Sequence, residues 1–212
     1  MKRVLILLLL VSSFSGFSQV DQKAKSILDQ VSERTKNYSS ITASFQFIME
    51  NAEVDIYELS EGNLVIQGNS FKLNISGIEI FSDGKSQWTF MKDANEVNIS
   101  DAASQEEGAI NPATIFTIYE HGFKNTYLGE YTSGAIKTHK IELIPTEKNE
   151  FSRVIIEIDQ KSLQIMGAVM YGVDNNLYSI KVKNMDTTKT YPTSTFVFNK
   201  AKYPSVNVVD MR

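Results

Sequence analysis

Few residues in this chain have the type and spacing that chemistry needs. There are two histidines, His121 and His139, each without the spacing to another His, Cys or carboxylate that a metal site requires. Cysteine is absent, so no thiolate is available as nucleophile or soft ligand. No serine has the strand-to-helix context of a nucleophile elbow. Gly62 and Gly68 fall in a hairpin, not ahead of a helix, so they form no phosphate cradle. Glu106-Glu107 is an adjacent pair in the polar run Asp101 to Gly108, the pattern of a solvated charge run. The sequence therefore predicts no catalytic residue, no metal, no cofactor, and a protein that is not an enzyme.

What the chain does supply is apolar side chains at period two. The stretch Glu61 to Met91 reads as four short strands, turned at Gln67-Gly68-Asn69-Ser70 and Ser82-Asp83-Gly84-Lys85, with Asp-Gly a strong hairpin signal. Leu64 and Ile66, then Phe71, Leu73 and Ile75, then Trp88 and Phe90 are expected on one aromatic, apolar face. Asn63, Lys72, Asn74, Gln87 and Thr89 then point the other way. Such a face must be covered either by the protein's own core or by a ligand.

The elements around it follow the same reasoning. Val20, Ala24, Ile27, Leu28 and Val31 recur at helical spacing and predict one amphipathic helix over Val20 to Thr35. Ile41, Ala43, Phe45 and Phe47 alternate as a strand, and Glu96 to Ser100 is a further short one. Asn111-Pro112 is a helix start, and Ile115, Phe116, Ile118 and Tyr119 make the short apolar helix it opens, placed to cover the open face of the sheet. From Phe123 on, strand follows strand. Leu163 to Gly172 is apolar on both sides, with Ile165, Val169 and Tyr171 on one and Met166, Ala168 and Met170 on the other. Tyr178, Ile180 and Val182 come next, and Thr195 to Phe198 and Val206 to Val209 close the chain. The fold class is mainly β with some α: a single antiparallel sheet curled toward an incomplete barrel, with an N-terminal helix and a short helical lid.

Residues 1–18 are read as a cleaved signal peptide and 19–212 as one domain. Lys2 and Arg3 precede the apolar run Val4 to Val11, and Gly16-Phe17-Ser18 offers small residues at the two positions a signal peptidase reads. The apolar run is too short to span a bilayer. An exported chain without disulfides relies on burial alone, which this length permits. Lacking cysteine, the chain cannot itself carry the lipid of a lipoprotein. Lys and Arg number 21 against 25 Asp and Glu, and loss of Lys2 and Arg3 leaves it more acidic. That balance argues against nucleic acid or an anionic membrane surface as partner.

Several of these motifs, taken in order, resemble the LolA family of periplasmic outer-membrane lipoprotein carriers. They are Ile41-Thr42-Ala43-Ser44-Phe45 after an amphipathic helix, Glu61-Gly62-Asn63-Leu64 opening a strand, Phe71, and Ser82-Asp83-Gly84-Lys85 followed by Trp88. Phe196-Val197-Phe198 and then Val206 to Asp210 complete the likeness, which runs from about Val20 to Arg212. The resemblance implies an incomplete barrel whose apolar concave face is lidded by helices. It implies a monomeric periplasmic carrier in a Gram-negative bacterium, which takes acylated lipoproteins from an inner-membrane ABC-type release complex to an outer-membrane acceptor. Leu64, Ile66, Phe71, Leu73, Trp88 and Phe90 would line the cavity, with Met166 or Met170 adding adaptable surface. Ile115, Phe116 and Tyr119 would form the lid. Each of these side chains could equally fill an ordinary core, since both uses share one pattern. In the best-studied members an Arg after the Gly-Asp-Leu strand latches the lid; here the matching stretch is Gln67-Gly68-Asn69, which predicts a looser lid. The alternative is a related half-barrel that binds other lipids or glycolipids, or senses lipoproteins in the periplasm.

Overall fold

The computed structural model describes residues 15–103 and 112–212. It contains one helix, α1 (Ser15–Lys36), and twelve strands: β1 (Ile41–Asn51), β2 (Ile56–Gln67), β3 (Ser70–Ile75), β4 (Ile78–Ser82), β5 (Ser86–Met91), β6 (Glu96–Asp101), β7 (Phe123–Ser133), β8 (Ile136–Pro145), β9 (Phe151–Asp159), β10 (Ile165–Gly172), β11 (Leu177–Asp186) and β12 (Asn207–Asp210). All twelve join one sheet in the order β12-β6-β5-β4-β3-β2-β1-β11-β10-β9-β8-β7. The sheet is open, with β12 and β7 at its edges.

Local chemistry fixes the turns. Gly84 has a φ of 85°, a conformation that suits glycine, and Asp83 Oδ1 accepts from the backbone N–H groups of Lys85 and Ser86 at 2.9 and 2.8 Å. Asp-Gly thus closes β4 onto β5 as the sequence predicts. Register shifts at Ser44/Phe45 in β1, Ile165/Gly167 in β10 and Tyr127/Gly129 in β7 mark irregularities in the ladder, the kind of feature that bends a strand and curls a sheet.

The helix predicted over Val20 to Thr35 spans Ser15–Lys36, and Ala24, Ile27, Leu28 and Val31 are buried. Arg34 and Lys36 in its last turn suit the negative end of the helix dipole. The four buried residues join one large core with Ile41, Ala43, Phe45, Leu64, Leu73, Ile141, Leu143, Val154, Ile156, Ile158, Ala168, Met170, Ile180 and Val182. That core covers the inner face of the sheet from β3 through β1 to β8.

Four expectations need correction. The sheet is mixed, because β12 runs parallel to β6, pairing Val208 with Val97. The chain after β11 leaves the middle of the sheet and reaches the far edge, and this crossover sets β12's direction. Thr195 to Phe198 is not a strand: Thr195 N–H bonds Pro192 O at 2.9 Å and Thr193–Phe196 forms a 3-10 turn. The lid is not an α-helix but two 3-10 turns, Pro112–Phe116 and Ile118–Glu120. Thr114, Ile115, Thr117 and Ile118 are β-branched and disfavour helix, and Thr117 Oγ1 bonds back to Thr114 O at 3.4 Å. Asn111, Glu106 and Glu107 lie outside the described residues.

The fourth correction concerns Trp88 and Phe90. Leu64 pairs with Leu73, Leu73 with Ile80, and Ile80 with Thr89, so the inner face turns polar at β5. Trp88 pairs with Phe81 and Phe90 with Val97, which puts them on the outer face. There Phe81, Phe90, Val97, Phe198 and Val206 form a second core, with Trp88 and Tyr203 against it. Phe198 lies 5.2 Å from Phe90 and 5.9 Å from Phe81 between ring centroids. The post-β11 segment is therefore the cover of that outer patch. Alternation within a strand shows which residues share a face, and only register against the next strand shows which face it is.

Candidate functional site

The inner face is roofed by α1 and the two lid turns. Ala113, Ile115, Phe116 and Tyr119 are buried in the large core. Ile115 and Phe116 meet Ala43 and Phe45 on β1, Leu64 on β2, and Ile180 and Val182 on β11, and they pack so closely that no room for a water molecule remains. Among the described residues no polar side chain lines this layer. Gly62 is shaped for it: a Cβ there would run into the Phe45 ring, so the ring lies against β2 only because glycine is opposite.

The lid turn is tied to the helix by a polar contact. Ser32 Oγ donates to Glu120 Oε1 at 2.7 Å, and Lys36 Nζ stands 3.7 Å from the same oxygen. Beside this tie, an open cleft of about 510 Å³ separates α1 from the chain entering β7. Leu28, Tyr119 and Phe123 form its apolar floor, while Lys25, Asp29, Glu120 and His121 stand at its rim. Leu28 and Tyr119 belong to the large core and Phe123 packs against it, so the floor of the cleft is part of that core. Burial pushes the Tyr119 hydroxyl up to about 12, which keeps the phenol neutral at this junction.

The position expected to lack a latch is occupied by another device. Gln67 Nε2 donates to Tyr191 O at 3.0 Å, and Tyr191 N–H donates to Gln67 Oε1 at 2.8 Å. With Thr42 Oγ1 2.8 Å from Tyr191 Oη and Ser40 Oγ donating to Lys189 O at 2.8 Å, the start of the crossover is pinned to the ends of β1 and β2. Gln67 thus holds the C-terminal crossover.

Of the residues singled out from sequence, Leu64, Ile115 and Phe116 meet in the packed layer. Leu73, Tyr119 and Met170 are buried in the same core, and Ile66 and Phe71 pack against it half-buried. Met166 is half-buried and belongs to neither core, because the shift at Ile165/Gly167 turns Ile165 inward in its place. Trp88 and Phe90 are on the outer face. Ala43, Phe45, Ile180 and Val182 complete the site without having been singled out. They were visible as alternating positions, but β1 and β11 are far apart in sequence and their pairing is a long-range closure.

The histidines form no centre. His121 is exposed at the cleft, and His139 Nδ1 lies 3.0 Å from the Tyr127 hydroxyl. Burial lowers the His139 pKa. Among the described residues no group of His, Cys, Asp and Glu is arranged to hold a metal ion.

An open, mainly β sheet with a lidded apolar interior defines the class as an incomplete barrel. The chain matches the family described as outer membrane lipoprotein carrier protein LolA over residues 14–171, and it belongs to that family. Its fold is similar to that of an uncharacterized conserved protein from Thermus thermophilus, at TM-score 0.61 and 13% identity, covering 89% of this chain and 99% of that one. It is similar to the lipoprotein LppX of Mycobacterium tuberculosis, at TM-score 0.52 and 11% identity, covering 81% and 100%. A LolA superfamily protein from Nitrosomonas europaea aligns at TM-score 0.46 and 14% identity over 82% and 97%. A comparison with curated protein sequences finds no match.

Proposed function

We propose that the protein is a periplasmic carrier that binds the acyl chains of lipoproteins between the lid turns and the inner face. The supporting observation is the lid itself: Ile115 and Phe116 fill an apolar layer against Ala43, Phe45, Leu64, Ile180 and Val182, and the hydrogen bond from Ser32 to Glu120 ties the turns to the helix. Without cargo the lid residues plug the site. With cargo the acyl chains take their place, entering by the cleft over Leu28, Tyr119 and Phe123.

The energetics favour a plug of this kind. Each buried methylene contributes about 0.8 kcal/mol, so several fully buried chains would exceed the ceiling of roughly 20 kcal/mol for non-covalent binding. A lid that competes for the same surface subtracts its own burial from the cargo's and keeps binding reversible. In this reading an inner-membrane ABC-type complex loads the carrier and an outer-membrane acceptor empties it. Residues 1–18 serve as the export signal, and cleavage after Ser18 retains the buried helix residues Ala24, Ile27, Leu28 and Val31.

The test is mass spectrometry of lipids that remain bound to the protein purified natively from a periplasmic extract, together with displacement of a hydrophobic dye by a triacylated lipopeptide. Bound acylated peptide and saturable displacement are expected. Bound free lipids or glycolipids would replace lipoprotein cargo with another lipid, and an empty protein that ignores both probes would overturn the reading.

A further inference from the structure

The β1–β2 hairpin carries a surface that neither the core nor the lid uses. Four large apolar side chains are exposed within six residues: Val54 (62%), Ile56 (39%), Tyr57 (62%) and Leu59 (52%). Tyr57 and Leu59 lie on the outer face, two residues apart, opposite Glu50 and Ile48 of β1. Among the described residues no strand pairs with the edge beside them. Pairing of β2 with β3 begins at Gly62, and the Ser76 hydroxyl, 2.6 Å from that of Ser60, marks where the neighbouring turn ends. Ile56 to Leu59 therefore offers backbone donors and acceptors without a strand on that side, the arrangement that invites an added strand.

The charge around this edge is of one sign. Glu50, Glu53, Asp55, Glu58 and Glu61 all fall in the hairpin, and no Lys or Arg occurs between Lys36 and Lys72. Among the described residues none of the five makes an ion pair. Lys181, on the same outer face, is held away from Glu61 by Gln46 of β1, which pairs with both.

We propose that the hairpin is a docking prong for a basic, extended segment of a partner protein. The segment adds as a strand along Ile56 to Leu59, sets its apolar side chains on Tyr57 and Leu59, and places Lys or Arg on the opposite face beside Glu58 and at the turn beside Glu53 and Asp55. Charge selects this occupant over the others. A second copy would bring five carboxylates against five, and an anionic membrane surface would be repelled, since like charges brought together are unfavourable. This surface is remote from the lid and does not depend on lipid binding.

The probe is the blocked peptide Lys-Val-Lys-Val-Lys-Val-Lys, titrated into the full chain and followed by amide chemical shifts. Saturable binding is expected, with shifts concentrated over residues 48–61 and affinity falling as salt rises. The triple variant E53K/D55K/E58K should weaken it by at least about tenfold. The double variant Y57S/L59S should weaken it too, as should proline at the central valine of the peptide, which removes a ladder donor. All the substituted side chains are exposed, so unchanged circular dichroism checks the fold. No binding up to millimolar peptide, shifts spread evenly over the surface, or equal affinity for the triple variant would overturn the proposal. So would self-association through Tyr57 and Leu59 in sedimentation, or partition of the hairpin onto phosphatidylcholine vesicles.

Discussion

Ser32 on the helix and Glu120 in the lid turn are joined by a hydrogen bond of 2.7 Å, although 88 residues separate them. A bond to a charged acceptor contributes about 1.5–3 kcal/mol, and the Lys36 contact at 3.7 Å adds less because it is exposed. Glu120→Ala should therefore loosen the lid without unfolding the sheet. Amides of Ala113 to Glu120 should exchange faster with solvent and hydrophobic dye binding should rise, with Ser32→Ala behaving alike. Unchanged exchange in both variants would show that the lid is held by burial of Ile115 and Phe116 alone.

Gln67 bonds both backbone groups of Tyr191, so Gln67→Arg should weaken the fold instead of latching the lid. Loss of the two bonds is expected to cost about 1–3 kcal/mol, read as a lower urea midpoint with the segment from Asp186 to Phe198 the first to exchange. A variant of wild-type stability that released acyl chains more slowly would restore the latch role.

Gly62 faces the Phe45 ring, and a Cβ there would run into it. Gly62→Ala forces the ring off β2 toward Phe116. Overpacking of this kind costs about 1–3 kcal/mol, and here it also narrows the proposed site. The measurement is paired: urea stability and dye affinity should both fall, and an intact dye affinity would place the dye elsewhere.

Glu79 sits on the outer face between Lys92 at 2.7 Å and Lys72 at 3.4 Å. Burial alone would raise its carboxyl pKa, but the Lys92 hydrogen bond and the two nearby charges outweigh it and leave the value lowered. A carboxyl whose pKa is lower folded than unfolded contributes stability above the unfolded value, and loses it as pH falls through the folded one. Glu79→Gln should lower stability at neutral pH and flatten the decline on acidification through the carboxylate range. Parallel stability curves for the variant and the parent from neutral to acid pH would contradict this.

Much of the architecture was legible because alternation and turn chemistry are local. Asp83-Gly84 places its hairpin, and the stripe Ala24, Ile27, Leu28, Val31 places the helix. What was not legible depended on long-range pairing. Trp88 and Phe90 alternate correctly within β5, yet Phe81 opposite Trp88 puts them under the post-β11 segment. Met166 alternates with Met170, but a register shift breaks the phase between them. Ser32 and Glu120, like Ala43 and Val182, meet only because distant segments close on one another, and no pattern within either segment announces the partner. The lid's apolar content marks it in the sequence but does not set its helix type, since four β-branched residues in five positions tip a short segment toward 3-10 turns.

The split between the two faces allows a decisive measurement. A photoreactive amino acid is placed at Phe116 or Ile66 on the inner side, or at Trp88 on the outer side, and each protein is irradiated with a triacylated lipopeptide. The absence of native cysteine lets a thiol dye on the peptide report adducts without background. Capture at Phe116 and Ile66 with none at Trp88 is the predicted result, and it would place acyl chains between lid and inner face. Equal capture at Trp88, or none at the inner positions, would contradict the carrier site.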